Sequence, residues 1–309
     1  MLKSRTMRVC SHRSLTGIRL LMFFGILAAV RGLAADDGTQ LARAYAAEVD
    51  KRLDLPDTEQ RQYGAMIPQL LAPKLPDPKK TAPQYVVLVD RSEFVQAAMI
   101  YWLGPDRQAH FIGASPVSTG RPGTFDHSKT PTGVFEHTLA NPDFRAAGTK
   151  NENGIRGYGI KGMRVYDFGW QQAIKGWRYK DEFDLRLQMH ATDPILERRM
   201  GTPQSKGCVR IPASMNVFID RHAILDADYD ATLAQGQSLW VLPKDRAQTP
   251  WSGRYLIVVD SGRTERPAWS PLPGESPKKP TSLHETRIHA PDAPANRTAA
   301  QSNRPAATP

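Results

Sequence analysis

From Tyr85 onward the chain consists of short apolar runs separated by turn residues, and this pattern limits what it can fold into. The first three runs cover residues 85–89, 94–102 and 111–117, and the turn residues between them favour an antiparallel meander. Further strands are predicted at residues 133–136, 163–168, 185–190, 238–242 and 255–259. The sequence therefore predicts a mostly β domain of the α+β class, with short helices inserted between the strands.

Two such helices are predicted among the later strands. One begins at Asp193, whose side chain suits a helix cap, with Pro194 as its first residue, and it ends at Gly201. The other follows Ser214 and carries apolar residues such as Phe218. Both are expected to act as crossovers between strands.

The residues before this domain predict a helical leader at 35–72 and a linker at 73–83 that is rich in proline and lysine. The leader has apolar residues at helical spacing, and Thr58 is expected to cap a second helix that ends before Pro68.

The main domain is predicted to extend over residues 84–260. Nine prolines fall between residues 267 and 309, with few large apolar side chains. Because such a segment cannot bury enough surface to offset its chain entropy, residues 261–309 predict a disordered tail.

Residues 1–34 have the features of an export signal. A basic start is followed by the apolar stretch 20–30, and small residues at Gly32 and Ala34 suit signal cleavage after Ala34. The alternative is an uncleaved anchor, but the apolar stretch has only about half of the ~20 residues that span a bilayer. We therefore expect an exported protein of the periplasm or cell wall, without stable membrane insertion after cleavage.

The charge of the chain does not indicate nucleic-acid binding. The net charge is +10, but residues 1–34 hold six Lys or Arg and no Asp or Glu, so the remainder carries +4. No arginine-rich stretch is interleaved with aromatic residues.

Cys208 is the only cysteine left after the predicted cleavage, so it has no partner for an internal disulfide. It lies in the stretch Ser-Lys-Gly-Cys-Val-Arg at residues 205–210, downstream of His190. An unpaired thiol with a histidine upstream indicates a nucleophile for acyl transfer. The alternative is an inert buried cysteine.

Acyl transfer by a thiol also needs a base and donors for the developing oxyanion. Alternation in the strand 185–190 places His190 on the face opposite the apolar residues, where it can serve as the base. Gly207 permits a sharp turn before the thiol, so the amides of Gly207 and Cys208 are the candidate oxyanion donors. The four histidines without comparable support are interpreted as surface or structural residues: His110, His127, His137 and His222.

His190 followed by residues 205–210 resembles the signature of the L,D-transpeptidase (YkuD-type) catalytic domain family. Fourteen residues separate His190 from Ser205. Upstream, the stretches Val-Ser-Thr-Gly at 117–120 and Lys-Thr-Pro-Thr-Gly-Val-Phe at 129–135 are similar to two further motifs of that family, in the same order. The likeness covers about residues 85–242.

The resemblance implies a mixed sheet bent around an active-site cleft and peptidoglycan stem peptides as substrates. Cys208 would form a thioester with the stem peptide and pass the acyl group to an amine, in cell-wall cross-linking or remodelling that affects cell shape. His190 would accept the proton while the backbone at Ala191 orients its ring, and Arg210 would lie near the donor carboxylate. The amine acceptor could also be an envelope protein or a D-amino acid. No metal or organic cofactor is implied.

One residue departs from the family signature, because Lys206 stands where a histidine is usual. Lysine does not accept a proton at neutral pH, so Lys206 is expected to favour the thiolate or to hold a substrate carboxylate. Ser205 is expected to hydrogen-bond within the loop and completes the candidate substrate contacts. Two alternatives remain: an L,D-carboxypeptidase that uses water, and a catalytically weakened peptidoglycan-binding protein.

Residues 157–162 spell Gly-x-Gly-x-x-Gly, the pattern of a dinucleotide-binding loop. Such a loop needs a strand before it and a helix after it, whereas here a predicted strand follows. Residues 151–162, together with the aromatic-rich stretch 168–179, are expected to form a flap over the cleft instead.

Overall fold

The strands of this protein form two mixed sheets. The computed structural model describes residues 38–77, 82–177, 181–270 and 272. The predicted export signal, part of the predicted linker and most of the predicted tail lie outside these residues. The described part has mixed sheets and short helices, so the predicted α+β class is confirmed.

The first sheet has the strand order β3-β2-β1-β9-β4. Its strands are β1 (Gln84–Asp90), β2 (Ala97–Leu103), β3 (Ala109–Pro116), β4 (Gly133–Glu136) and β9 (Tyr255–Val259). The antiparallel pairing of β1 with β2 and of β2 with β3 confirms the predicted meander, and β9 joins β1 in parallel. Strands β1 and β2 are buried along nearly their whole length because both faces of the sheet are covered, which explains their continuous apolar runs.

Two helices of the predicted leader cover this sheet. Helix α1 occupies residues 38–48 of the described chain, and α2 covers Asp57–Leu71. Tyr45 of α1 packs edge-on against a phenylalanine of the core with ring centroids 5.0 Å apart. The prediction that the second helix ends before Pro68 is wrong, because α2 continues to Leu71. Burial of Ile67 before the proline and of Leu71 after it holds this last turn in place.

The second sheet has the order β5-β6-β7-β8. Its strands are β5 (Phe144–Arg145), β6 (Arg164–Ile174), β7 (Glu182–Ala191) and β8 (Val209–Ile211). Strands β5, β6 and β7 are antiparallel neighbours, whereas β7 and β8 are parallel. The connection from β7 to β8 contains the short 3₁₀ helix Pro194–Arg199, capped by the side chain of Asp193 as predicted.

Helices α3 (Ala213–Arg221) and α4 (Ala227–Ala234) follow the second sheet. Helix α3 is the one predicted after Ser214, whereas α4 was not predicted. The prediction of a strand at 238–242 is wrong: this segment forms a turn, and Trp240 is 76% exposed. The carbonyl of Val241 accepts from the Arg145 guanidinium at 2.8 Å instead of joining a strand. In the described ranges, every helix is too short or too polar to span a bilayer.

A buried arginine ties β6 to the helices that follow it. Arg164 is fully buried and lies 2.6 Å from Asp143, 3.2 Å from Asp220 and 2.8 Å from Asp226. His137 Nε2 donates to the same Asp143 at 2.7 Å. Burial disfavours the Asp143 carboxylate, but His137 and Arg164 outweigh it and lower its pKa. The ion pairs therefore compensate charges that would be costly to bury alone.

Residues 261–270 do not behave as the composition predicts. The segment packs back on the domain, where Trp269 meets Tyr63 edge-on with ring centroids 6.4 Å apart. Arg266 donates to the carbonyl of Gly201 at 3.0 Å, in the connection that leads to Cys208. One aromatic contact and a few polar contacts thus hold this segment on the domain, although its composition predicts disorder.

Candidate active site

Strand β7 alternates between the core and the opposite face. Three of its residues are fully buried in the core: Leu187, Met189 and Ala191. The intervening residues point the other way: Arg186, Gln188 and His190. The alternation predicted for 185–190 therefore places His190 away from the core, as expected.

Cys208 lies next to β7, immediately before β8. The parallel register pairs His190 with Arg210, so Cys208 is beside Gln188. The Cys208 Sγ is 3.9 Å from the carbonyl oxygen of Arg186. One strand spacing across and two residues along correspond to about 8 Å between the Cα atoms of residues 190 and 208. The structure thus brings the candidate nucleophile and base onto neighbouring strands.

The alternation of β8 decides on which face these side chains lie. Val209 and Ile211 are buried in the same core cluster as Met189. Residues 208 and 210 therefore face the opposite way, and paired residues of parallel strands point to the same side. Cys208 and Arg210 share the face of His190.

The His190 ring is oriented by its neighbours. Its Nδ1 is 2.6 Å from the carbonyl oxygen of Ala191, the backbone contact that the resemblance implies. Because a carbonyl only accepts, this partner assigns the proton to Nδ1 and leaves a lone pair on Nε2. The Tyr158 ring packs edge-on at 4.7 Å between centroids. Burial lowers the pKa of His190 to about 4, and the Arg210 charge contributes in the same direction, so the ring is neutral at neutral pH.

The Cys208 thiol is also neutral in this environment. Burial raises its pKa, and the carboxylate of Asp167 adds to the increase. A hydrogen bond from the backbone N–H of Gln188 and the charge of Arg210 act in the opposite direction but do not prevail. The resting site therefore holds a thiol and a neutral imidazole rather than an ion pair.

The hydroxyl of Ser205 is engaged within the loop. It donates to the carbonyl of Cys208 at 2.6 Å and accepts from the N–H of Gly207 at 3.0 Å. The backbone N–H of Ser205 donates to Thr119 at 2.9 Å. These bonds agree with the expected role of Ser205 in the loop, but they leave its hydroxyl little capacity for a substrate. They also engage the Gly207 amide, which was expected to face an oxyanion.

Gly207 occupies a position that admits only glycine. Its φ is +144°, and an added Cβ would lie 2.7 Å from the Leu185 side chain and 2.9 Å from Ser128 Oγ. Its carbonyl accepts from the Thr130 hydroxyl at 2.7 Å. The close contact with residues 128–130, part of which belongs to the second upstream motif, fixes the turn that leads into Cys208.

Lys206 does not face the thiol. Its ammonium pairs with Asp126, and the two side chains are 63% and 56% exposed. The charges that shift the pKa of Cys208 do not include Lys206. The expectation that Lys206 favours the thiolate is therefore not supported by its position, because its side chain extends into solvent.

Arg210 is partly buried on the His190 face. Its Nη1 reaches the carbonyl of Gln204 at 3.5 Å, and its Nε has no hydrogen-bond partner among the described residues. Burial lowers the pKa of Arg210, and only the thiolate form of Cys208 would oppose this. Of the three residues expected to contact substrate, Arg210 is the one with an unused donor beside the thiol.

A row of polar side chains beside the site was not assigned from the sequence. The Tyr158 hydroxyl donates to Gln188 Oε1 at 3.1 Å, and Gln188 Nε2 donates to Asp167 at 2.8 Å. Arg186 Nε donates to the same carboxylate oxygen at 2.8 Å. Alternation already placed residues 186 and 188 on the His190 face, which was the available signal, but nothing in the sequence linked them to Asp167.

The loop that carries Tyr158, within the first part of the expected flap, covers His190. In the second part, 168–179, residues 168–174 belong to strand β6 instead. The Arg156 N–H donates to Asp193 at 2.9 Å, and a Cβ on Gly159 would lie 2.9 Å from that of Ala191. This close packing explains why His190 is buried although it faces away from the core. In the described ranges, no group of three His, Cys, Asp or Glu side chains is placed to hold a metal ion.

Comparisons with known proteins add the following. A family model described as the L,D-transpeptidase catalytic domain, YkuD, matches residues 84–224. No curated protein matches the chain significantly. Among solved structures, an L,D-transpeptidase from Mycobacterium smegmatis matches with 14% sequence identity and a TM-score of 0.29. That match covers 58% of this chain and 60% of the other, so the chain spans less than two thirds of its length.

Proposed function

Because residues 84–224 belong to the L,D-transpeptidase catalytic domain (YkuD) family, we propose that this protein is a cysteine acyltransferase of the cell envelope. Its donor substrate is a peptidoglycan stem peptide, and its acceptor is an amine. The observation that carries the proposal is the placement of Cys208 and His190 on the same face of neighbouring parallel strands.

The first half of the reaction forms a thioester. The Cys208 sulfur attacks the carbonyl of the third stem residue while His190 Nε2 accepts the thiol proton. The bond to the terminal D-alanine then breaks, and His190 returns the proton to the departing amine. In the second half, an acceptor amine attacks the thioester, His190 takes its proton, and the thiol is regenerated.

The neutral resting pair has a mechanistic consequence. A thiol with a raised pKa is a poor nucleophile by itself, so proton transfer to His190 has to accompany the attack. The hydrogen bond from Nδ1 to Ala191 holds Nε2 ready to accept that proton. This arrangement protects the thiol until a substrate carbonyl is in place.

The developing oxyanion needs donors close to Cys208. We assign the Cys208 amide to this role. The Gly207 amide joins it only when its bond to Ser205 opens on substrate binding. Arg210, with its unused Nε, is assigned to a carboxylate of the donor peptide.

The position of Lys206 favours an active enzyme over a weakened binding protein. Its ammonium is in solvent, so replacing the usual family histidine by lysine leaves the His190 and Cys208 pair untouched. Action on peptidoglycan also agrees with the export signal expected at residues 1–34 and with the expected location in the periplasm or cell wall.

The test is mass spectrometry of purified disaccharide-tetrapeptide incubated with the protein. Cross-linked dimers are expected for the wild type, together with a thioester adduct in the intact protein. The Cys208→Ala and His190→Ala variants should abolish both products, whereas Lys206→His keeps or improves turnover. His110→Ala is the matched control because its imidazole is exposed on β3. Shortened stems without dimers would identify a carboxypeptidase, and near-normal rates for His190→Ala would refute the mechanism.

A further inference from the structure

Arg186 lies next to the reacting sulfur but has no part in the mechanism above. Its backbone carbonyl is the oxygen that the Cys208 thiol approaches at 3.9 Å. Its side chain projects from the same face of β7 as His190 and is 40% exposed. The guanidinium is joined to the site through Asp167, the carboxylate whose charge acts on Cys208.

The guanidinium is held in a fixed orientation. Its Nε donates to Asp167 at 2.8 Å, and that carboxylate is 1% exposed and also accepts from Gln188. The other side of the group lies over the Trp170 ring, 5.7 Å from its centroid, and this ring is 62% exposed. Two partners thus restrain the side chain before any ligand arrives.

The two terminal nitrogens of the Arg186 guanidinium are the part that a ligand could bind. A guanidinium has five N–H donors, and the bond to Asp167 uses the one on Nε. Among the described residues, no hydrogen bond or ion pair involves its two terminal nitrogens. Those nitrogens present the geometry that binds a carboxylate through two parallel hydrogen bonds.

We propose that Arg186 recognises a free carboxylate beside the attacked carbonyl of the donor peptide and makes the enzyme prefer donors with this carboxylate over donors with a carboxamide. The inference rests on the proposed function, since it specifies the substrate of the same site. Arg210 lies on the other side of Cys208, two residues further along β8, so the two arginines contact different parts of the donor.

The discrimination follows from the chemistry of the two groups. A carboxylate accepts through both oxygens and carries a negative charge, whereas a carboxamide accepts through one oxygen and turns an N–H₂ group towards the arginine donors. Hydrogen bonds to charged groups are about twice as strong as neutral ones. Loss of such a pair at a partly exposed site lowers the rate or affinity by about 10- to 100-fold.

A purely structural role for Arg186 gives a different result. If its ion pair with Asp167 only stabilised the β6–β7 hairpin, a substitution would affect all donors alike. The experiment therefore compares two synthetic tetrapeptide donors that differ only in this carboxylate or carboxamide. The variants are Arg186→Gln and Arg186→Lys. Arg121→Gln is the control, because the side chain of Arg121 is exposed and, among the described residues, hydrogen-bonds only to a threonine hydroxyl.

Two readouts keep this inference separable from the proposed function. Thioester formation is followed by intact mass in the active enzyme, and peptide affinity is measured by calorimetry in a Cys208→Ala background. We expect Arg186→Gln to lower the rate of thioester formation and the affinity by about 10- to 100-fold for the carboxylate donor. For the carboxamide donor, both should fall by less than about threefold. Arg186→Lys should retain part of the preference, because it keeps the charge but not the fork.

The outcomes are distinct. Equal losses for both donors, or a wild type without preference for the carboxylate, would overturn the role of Arg186. If neither donor forms a thioester, the proposed acyl transfer fails, and the affinities in the Cys208→Ala background still decide whether Arg186 reads the carboxylate. If, in addition, neither peptide binds in that background, both proposals fail.

Discussion

His190 should make the stability of this protein depend on pH. Burial lowers its pKa from 6.5 to about 4 in the folded state. Between these values the unfolded chain binds more protons at this site than the folded one. Since stability rises with pH wherever the unfolded state binds more protons, the contribution of His190 is present above pH 6.5 and is lost as the pH falls towards 4.

The size of this effect follows from the shift in pKa. A difference of about 2.5 units corresponds to about 3 kcal/mol at full protonation of the unfolded state. Between pH 7 and pH 4.5 the loss assigned to His190 is about 2 kcal/mol. Carboxylates also titrate in this range, so the contribution of His190 to stability has to be separated from theirs by comparison with a variant.

The assay is urea denaturation at pH 7 and pH 4.5 in a Cys208→Ala background, which excludes oxidation of the thiol. The His190→Asn variant cannot take up the proton, so it should lose about 2 kcal/mol less stability than its parent on acidification. His110→Asn is the control, because this exposed side chain lies on β3. The same loss of stability in the parent and in His190→Asn would show that His190 is not buried as a neutral ring, and the reasoning would fail.

Three further substitutions test other parts of the structure. Gly207→Ala should destabilise the protein by about 2–3 kcal/mol in urea denaturation, because its Cβ would clash with Leu185 at a positive φ. In the Leu185→Ala background the same substitution should cost less stability, and an equal cost would argue against the clash. Arg164→Met should lower the free energy of unfolding by about 3–5 kcal/mol, because it leaves buried carboxylates uncompensated. Arg145→Met, at a partly exposed arginine, should lower it less, and equal urea midpoints for the two variants would contradict this. Lys206→Ala should change the melting temperature by less than about 2 °C, since exposed pairs contribute little, and a larger shift would show that the pair fixes the loop.

The face on which His190 lies could be predicted from the sequence because strands have a period of two. Once Leu187 and Met189 are assigned to the core, the side chains that alternate with them, Gln188 and His190, must point to the opposite face. The same rule applies to residues 208 and 210 beside the buried Val209. Local alternation therefore predicted the orientation of His190. The strand Val209–Ile211 was not predicted, so the orientation of residues 208 and 210 came from the structure, and the adjacency of the two halves was expected only from the resemblance in motif order.

The partners of this face could not be predicted in the same way. A bulge between Asp167 and Trp170 shifts the register of β6 against β7 and brings Asp167 next to Arg186 and Gln188. The signal for the bulge is Gly169, whose φ is +74°, but an isolated glycine does not specify which residues a shifted register pairs. Contacts that depend on the register therefore needed the structure.

Lys206 and the buried Arg164 show a second limit. Position in a motif fixes the backbone of residue 206, but the direction of its side chain depends on Asp126, eighty residues earlier. Likewise, a charged residue in the predicted strand 163–168 is normally exposed, and Arg164 is buried only because three aspartates from distant segments surround it. Long-range charge pairing leaves no local pattern in the sequence.

The spacing of the two candidate catalytic residues has a topological reason. Strands β7 and β8 are parallel, so the chain has to return from the end of one to the start of the other, and such crossovers need a dozen or more residues. Seventeen residues, 192–208, lie between Ala191 and Val209, and they contain the 3₁₀ helix Pro194–Arg199. The return path ends at Cys208 because the thiol occupies the last position before the ladder, beside the backbone of β7. The parallel pairing of β7 with β8 thus brings together a histidine at the end of one strand and a cysteine just before the other. A deletion that left the crossover shorter than about a dozen residues would separate them without touching either side chain.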